Sequence, residues 1–354
     1  GELGAVFNDA QTSLVKVDST IDLSGRWTND SALVNASPST AAVITNGGGI
    51  EILSGRDVII SADSVLDVSG GAYLEQGGRF TAGKGGEIVL SSWRSQDVSA
   101  VSSLDIQGEL RGFGMAKGGS LVLEAEAIRI GDPVSSSIDP EYALRGDQMF
   151  DLMPDQSVLR NVLMVNADTV ELGGFQSYEF NALRSQLEVA AGTGLNLTTA
   201  NYVVDPGGIQ SSLHGIVGAA SSTGSNNHPL ELVTSGTPLD AFAEVQVLPD
   251  YLRNGTDLTL SAGALGPLQI GSGAGIRGSA GSDINLNGQT GIFIDGTILA
   301  PAGNITASLS GIGGSARSIQ SRIWLGDQAQ LMAPGVSVVN PVNELGLRVG
   351  EVLD

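Results

Sequence analysis

The sequence predicts an all-β fold, a parallel β-helix or solenoid, and three observations favour it. Phrases that begin with Gly-Gly recur in the first third of the chain, each followed by a short strand of alternating apolar residues. Glycine makes up 50 of the 354 residues, about twice the ~7% average usage, which indicates many tight turns. The first and last thirds show no apolar period of 3.6 residues, so strands rather than helices are expected there.

The repeats indicate how the strands stack. The Gly-Gly phrases are GGIEIL at residues 48–53, GGEIVL at 85–90 and GGSLVL at 118–123. A strand this short cannot bury a face alone, whereas like strands stacked about 4.8 Å apart cover one another. In the last third, Ile284 and Ile305 occupy matching phrases 21 residues apart, near the length of one coil. On that measure, the earlier intervals of 37 and 33 residues indicate nearly two coils each.

Three regions are expected along the chain. They are coils over residues 1–131 with an N-terminal cap at 1–30, coils with extrahelical insertions over 132–250, and coils with an exit segment over 251–354. The middle region holds seven of the 12 prolines, which disfavour a central strand. Within it, residues 139–159 suit a short helix and 221–228 a loop, and strand patterns return at 162–165, 169–172, 187–190 and 195–197.

An antiparallel β-sandwich or barrel is the alternative architecture, since it also combines short strands with glycine-rich turns. Asn-Gly dipeptides, which are typical of β-hairpins, occur at residues 46–47, 254–255 and 287–288. The antiparallel architecture gives no reason for the recurring Gly-Gly phrases, so the sequence favours parallel stacking.

Charge and composition exclude several classes of function. The chain carries 17 Lys and Arg against 38 Asp and Glu, a formal net charge of −21. Nucleic acid is therefore not an expected partner, because phosphate-binding surfaces need clustered cations. No apolar run reaches the ~18 residues of a spanning helix, so the chain is not expected to span a membrane. Cysteine is absent, which excludes disulfides, thiolate nucleophiles and sulfur-ligated zinc.

Two glycine-rich segments match nucleotide-binding motifs in part and are interpreted as turns. Residues 78–85, GRFTAGKG, fit the phosphate loop except that Gly85 replaces the Ser or Thr that binds magnesium, and a strand pattern follows instead of a helix. Residues 273–278, GAGIRG, fit the dinucleotide fingerprint, but a strand pattern follows them too. No cofactor-binding residue is therefore assigned.

No catalytic or metal-binding residue is assigned either. His214 and His228 are the two histidines of the chain. Two histidines are too few for a histidine-rich metal site and offer little choice for a catalytic triad. His214 adjoins apolar residues and is interpreted as structural, and His228 lies in a polar stretch. Calcium stays open as a weakly bound ion because carboxylates are plentiful, although neither the EF-hand loop nor the calcium-binding nonapeptide occurs.

Polysaccharide cleavage is the enzymatic alternative, since that reaction needs two carboxylates about 5 to 10 Å apart. Asp67 and Asp105 are expected at similar places in their repeats, and Glu124 with Glu126 on one strand face. We interpret all four as corner or solvent-face residues of an acidic chain. The indoles also suit sugar stacking, but isolated indoles more often fill a coil or cover its end. They are Trp27, Trp93 and Trp324.

Several longer phrases occur in a distinctive order. They are SGRWTND at 24–30, VLDVSGG at 65–71, LGGF at 172–175, DGTILAPAGNI at 295–305 and IWLGDQA at 323–329. Together with the Gly-Gly units, they resemble the filamentous-haemagglutinin-like exoproteins of Gram-negative bacteria over nearly the whole chain. The resemblance implies a right-handed β-helix, two-partner secretion through an outer-membrane transporter, and an extracellular or outer-surface location. Since the Asn-Pro-rich secretion domain of that family is not recognised, an interior or processed segment of a larger exoprotein is expected.

The function expected from these features is non-enzymatic. The chain is predicted to be a segment of an extracellular or surface fibre, an adhesin or biofilm-matrix shaft whose loops bind glycans, host or neighbouring cells, or sister fibres. One alternative is a polysaccharide-active or carbohydrate-binding β-helix, and another is the stalk of a larger contact-dependent toxin-delivery exoprotein. The expected partners are the outer-membrane transporter, glycans, cell surfaces and further copies of the fibre.

Overall fold

The computed structural model describes residues 4–9, 14–30, 43–76, 79–92, 103–131, 162–167, 170, 173–204, 243–248, 253–310 and 321–336. The fold of these residues is all-β with parallel sheets. The predicted helix at 139–159, the loop at 221–228 and most of the strand pattern at 169–172 lie outside the described residues.

The first strands are β1 (Gly4–Asp9), β2 (Leu14–Val17), β3 (Ile21–Asp22), β4 (Trp27–Asn29), β5 (Gly49–Ser54), β6 (Asp57–Ile60), β7 (Val65–Asp67), β8 (Ala72–Leu74), β9 (Phe80–Ala82), β10 (Glu87–Ser91), β11 (Leu104–Ile106), β12 (Glu109–Arg111), β13 (Gly119–Ala125) and β14 (Ala127–Ile130). The middle strands are β15 (Val162–Val165), β16 (Phe175–Ala182), β17 (Leu187–Val189), β18 (Gly194–Leu197), β19 (Ala200–Val204) and β20 (Ala243–Val247). The last strands are β21 (Asp257–Ser261), β22 (Leu268–Ile270), β23 (Gly275–Gly278), β24 (Asp283–Gly288), β25 (Gly291–Ile294), β26 (Thr297–Leu299), β27 (Asn304–Leu309), β28 (Arg322–Leu325) and β29 (Gln330–Met332).

One eight-stranded sheet, the long sheet, unites the described fold. Its strand order is β1-β5-β10-β13-β16-β21-β24-β27, and every neighbouring pair in it is parallel. At about 4.8 Å between strands, the long sheet extends for about 34 Å. The chain leaves each of these strands, passes through other sheets and returns to the next, and a coil is the segment between two such returns.

The last coils follow one path three times. The chain runs from the long sheet to the six-stranded sheet β15-β14-β17-β22-β25-β28 and then to the four-stranded sheet β18-β23-β26-β29, and after the first two of these coils it returns to the long sheet. The coils beginning at β21, β24 and β27 each place one strand in each sheet. Parallel strands require such crossovers, because a tight hairpin connects only antiparallel neighbours.

The core is a set of aliphatic columns between these sheets. Ile284 pairs with Leu258 on one side and Ile305 on the other, so the predicted 21-residue spacing of the two isoleucines is confirmed as strand pairing. The inward residues Leu286, Ile292 and Ile298, one from each sheet of the coil beginning at β24, are all fully buried. Strands of three to six residues thus acquire a two-sided core that none of them supplies alone.

The coil count predicted for the first third is wrong. Strand β10 pairs directly with β5 on one side and with β13 on the other, so each Gly-Gly interval spans one coil and not two. The physical reason is that the coil beginning at β5 is longer. It places β6, β7 and β8 in three further sheets, one more than a C-terminal coil uses, before the long sheet resumes.

The antiparallel alternative is wrong for the described fold. Within the described residues, antiparallel pairing is confined to β8 with β9 and β19 with β20. The second of these pairs reaches back along the fold: Tyr202 of β19 meets the ring of Trp27 edge-on at 5.5 Å between centroids and lies 5.5 Å from the ring of Phe113.

The Gly-Gly phrases have a steric cause. A Cβ atom at Gly86 would lie 1.8 Å from the carbonyl oxygen of Gly48 in the preceding coil, a distance that no side chain tolerates. The same corner holds backbone hydrogen bonds from Glu87 to Gly48 at 3.1 Å and from Ser120 to Gly86 at 2.9 Å. The glycines therefore recur because backbones of successive coils touch where they enter the long sheet.

Replacing Gly86 with Ala is expected to destabilise the fold by about 1–3 kcal/mol, the usual cost of overpacking. The matched control is Gly49→Ala, because a Cβ there meets no heavy atom within 4 Å and reduces the entropy of the unfolded chain. Urea unfolding of both variants measures the difference. Equal stability of the two variants would contradict the steric account of the repeat.

Candidate functional site

The outward side of the long sheet carries rows of polar side chains, which we call the polar face. It is developed over β16, β21, β24 and β27, where inward residues alternate with outward hydroxyl, amide and carboxylate groups. Each outward position aligns with its counterpart in the next strand. The outward residues are Ser177, Glu179, Asn181, Asp257, Thr259, Ser261, Asp283, Asn285, Asn287, Asn304, Thr306 and Ser308.

Hydrogen bonds between coils hold the polar face in order. Asp257 Oδ1 accepts the backbone N–H of Asp283 at 2.9 Å, and Asp283 Oδ1 accepts the side-chain amide of Asn304 at 2.8 Å. In a second row, Ser308 Oγ donates to Asn287 Oδ1 at 2.6 Å. Such ladders fix side chains at the strand spacing, so the face presents a regular array of donors and acceptors.

The charge of this side of the sheet has one sign. Along the long sheet from β5 to β27 its outward positions include six carboxylates and no Lys or Arg. The carboxylates are Glu51, Glu87, Glu124, Glu179, Asp257 and Asp283. An anionic array of acceptors suits hydroxyl-rich ligands and cations, and it repels a like surface at low ionic strength.

A second row, the mixed row, lies on the outward side of the six-stranded sheet. Arg129, Glu188, Gln269, Phe293 and Trp324 follow one another in register across five strands. The guanidinium Nη1 of Arg129 lies 3.7 Å from Glu188 Oε2, and the rings of Phe293 and Trp324 are 6.3 Å apart between centroids. Most of this row is covered, since Arg129 and Phe293 are buried and Trp324 is half-buried.

The ion pair in the mixed row is incompletely satisfied. Arg129 is only 9% exposed, and within the described residues its Nε and Nη2 atoms have no hydrogen-bond partner. Burial raises the pKa of the Glu188 carboxyl above its ordinary value, and the nearby Arg129 charge offsets part of that rise. Because both charges are largely removed from water and two guanidinium nitrogens lack partners, the pair is weak evidence for stability of the sheet.

Both glycine-rich motifs lie in turns and strands. The phosphate-loop match ends at Gly85 and leads into strand β10, as predicted, and Lys84 forms a parallel bridge with Lys117 of the next coil. The dinucleotide match leads through β23 into β24. Neither segment opens a helix, so neither presents the helix N-terminus that both motifs need.

The carboxylates that were considered for polysaccharide cleavage do not lie where the sequence placed them. Asp67 lies in β7 and Asp105 in β11, which belong to different sheets, so the expectation of equivalent places is wrong. The expectation that Glu126 shares the strand face of Glu124 is also wrong. Strand β13 ends at Ala125. The side chain of Glu126 is buried, and its Oε1 atom forms an ion pair with Arg184 Nη1 at 3.2 Å.

The described indoles both pack on other rings. Trp27 contacts Tyr202 and adjoins a small cluster that includes Ala72 and Leu74, while Trp324 contacts Phe293. These contacts agree with the interpretation that the indoles fill or cover coils. Trp93 and both histidines, His214 and His228, lie outside the described residues.

No known protein family, curated protein or solved structure matches this chain. Within the described ranges, no three His, Cys, Asp or Glu side chains are grouped as a metal site. The same ranges contain no helix that is long and apolar enough to cross a membrane.

The raised pKa of Glu188 gives a pH prediction. The folded chain binds more protons at this site than the unfolded chain, so the stability that the group contributes falls as pH rises from the ordinary glutamate pKa through the raised one. Glu188→Gln removes this dependence. The unfolding free energy of the wild type minus that of the variant is expected to decrease over that range, measured by urea unfolding at several pH values. Parallel pH curves would contradict the burial of this carboxyl.

Proposed function

We propose that this chain is a segment of an extracellular or cell-surface fibre. It is a right-handed parallel β-helix of the filamentous-haemagglutinin-like class, exported by two-partner secretion, and acts as a shaft and as an adhesive or matrix surface. The observation that carries the proposal is the long sheet, in which each coil adds one parallel strand in register with the last. A fold of this kind lengthens by adding coils to the same sheet.

The mechanism is mechanical and multivalent. Backbone ladders and aliphatic columns make the shaft stiff, because each coil between the first and the last is bonded to both neighbouring coils. The polar face repeats weakly binding groups at strand spacing, so many sugar hydroxyls or bridging cations are engaged at once. A formal charge of −21 keeps neighbouring shafts apart until divalent cations bridge them.

Location tests the proposal directly. Antibodies raised against the purified chain are expected to label filaments on the native cell surface at regular spacing in immunogold electron microscopy. Pre-immune serum is the control. Label restricted to soluble particles, with unlabelled filaments or none, would overturn the fibre proposal.

A carbohydrate-active protein is the second candidate, and the paired Asp257 and Asp283 of the polar face favour it most. Asp257 Oδ1 already accepts the backbone N–H of Asp283, and Asp283 Oδ1 accepts the backbone N–H of Asn304. Both carboxylates therefore suit the role of a structural acceptor better than that of a proton donor. The other alternative, the stalk of a toxin-delivery exoprotein, uses the same shaft. It differs from the adhesive fibre in the further domains that the whole exoprotein would carry.

Incubation of the chain with acidic polysaccharides is therefore expected to release no reducing ends. Asp257→Asn and Asp283→Asn are the discriminating variants, and Asn285→Asp is a matched control on the same face. Release by the wild type that either Asp variant abolishes and the control retains would establish the enzyme and contradict the non-enzymatic proposal.

A further inference from the structure

One buried cation of the mixed row lacks acceptors for most of its donors. Arg129 lies on the outward side of β14, since Ile128 and Ile130 on either side of it are fully buried in the core. Arg129 is itself only 9% exposed, and within the described residues its Nε and Nη2 atoms have no hydrogen-bond partner. Buried donors without acceptors are rare in folded proteins, because each one costs free energy. An acceptor from outside the described residues would remove that cost.

The two unbonded nitrogens form one edge of the guanidinium plane, which we call the Arg129 fork. The third nitrogen, Nη1, is the one that lies 3.7 Å from Glu188 Oε2. In a guanidinium group, Nε–H and one N–H of Nη2 are parallel, and this pair of donors matches the two oxygens of a carboxylate. The geometry of the fork therefore selects a carboxylate as its ligand.

No side chain in the described part of the chain supplies that carboxylate. Arg129 stands in register with Met164 of β15 on one side and with Glu188 of β17 on the other. A thioether is only a weak acceptor, and Glu188 is engaged at Nη1. Met164 is 43% exposed, so the row is open to solvent directly beside the fork.

The next two polar side chains of the row also have unused hydrogen-bonding capacity. Glu188 and Gln269 follow Arg129 on consecutive strands, about 4.8 Å apart. Both are half-buried, and among the described residues neither forms a side-chain hydrogen bond. The polar face differs, because its amides, hydroxyls and carboxylates bond to one another. The mixed row thus combines a cationic fork with hydroxyl-binding groups in one line.

We propose that the mixed row binds a uronate, a sugar that carries a carboxylate, within an acidic polysaccharide. The Arg129 fork holds the two carboxylate oxygens, and Glu188 and Gln269 bind hydroxyl groups of the same saccharide chain. At the far end of the row, the half-buried ring of Trp324 adds a flat apolar surface on which a sugar face packs. The inference rests on the proposed adhesive or matrix function and names one class of ligand for it.

The overall charge of the chain makes such binding depend on this row. At a formal net charge of −21, the chain repels an acidic polysaccharide at long range, so a local cation has to hold it. An ion pair at a buried guanidinium is screened by salt much less than an exposed pair. Sodium chloride is therefore expected to leave binding unchanged or to strengthen it, and binding that sodium chloride abolishes would contradict this site.

The test measures binding of oligogalacturonate to the full chain by titration calorimetry, with EDTA present to remove divalent cations. Wild type is expected to bind this probe and not its methyl ester, in which the carboxylates are blocked. Arg129→Gln and Arg129→Lys are each expected to weaken binding about tenfold or more, because lysine keeps the charge but lacks the fork. Arg277→Gln, at an exposed residue of β23 in the four-stranded sheet, is the control matched in charge and binds like wild type.

Circular dichroism establishes that each variant is folded. If Arg129→Gln is not, the double variant Arg129→Gln with Glu188→Gln replaces it, because that change leaves no unpaired charge in the row. Equal binding of the methyl ester, wild-type affinity of both Arg129 variants, or binding that EDTA abolishes would each overturn the site. Poly-glutamate that binds as tightly as oligogalacturonate would overturn the sugar class and assign the fork to acidic peptides.

These results are distinct from those of the location test. Labelled native filaments, together with a purified chain that does not bind oligogalacturonate, overturn the uronate site alone. Binding that Arg129→Lys weakens, by a chain that is found only on soluble particles, overturns the fibre proposal alone.

Discussion

Parallel, in-register pairing along the long sheet is the constraint on which the rest of the structure depends. Each long-sheet strand is bonded to the strand one coil earlier, so an inward residue always meets an inward residue. A slip of one residue would turn every aliphatic column outward. The columns fix the register, and the register in turn places the outward groups of the polar face at regular spacing.

The corners follow from the same constraint. Where Gly86 contacts Gly48 of the preceding coil, the two backbones are too close for any Cβ atom. The backbone hydrogen bonds at that corner fix the spacing between the strands that follow. Polar groups are satisfied within the stack as well, as when Thr199 Oγ1 donates to the Phe175 carbonyl at 3.0 Å. Buried polar atoms that lack such partners cost stability, so corners tolerate few residue types.

Local features were predictable from the sequence and pairings between distant coils were not. The strands at residues 87–90 and 283–286, and the stacking of Ile284 on Ile305, follow from period-two patterns and spacing. Period two does not reveal which strand is the neighbour, so the coil count and the places of Asp67 and Asp105 were wrong. The polar face was missed for the same reason. Its signal is present in DLTLS, DINLN and NITAS, once these are aligned by register.

The period of two separates the inside of the fold from its outside. Along the long sheet, alternate residues of β21, β24 and β27 point into the aliphatic columns, and the residues between them carry carboxylates, amides and hydroxyls. Because the outward positions from β5 to β27 include six carboxylates and no Lys or Arg, that side of the sheet repels a like surface at low ionic strength. The alternation that builds the core therefore also sets the charge of the outward side.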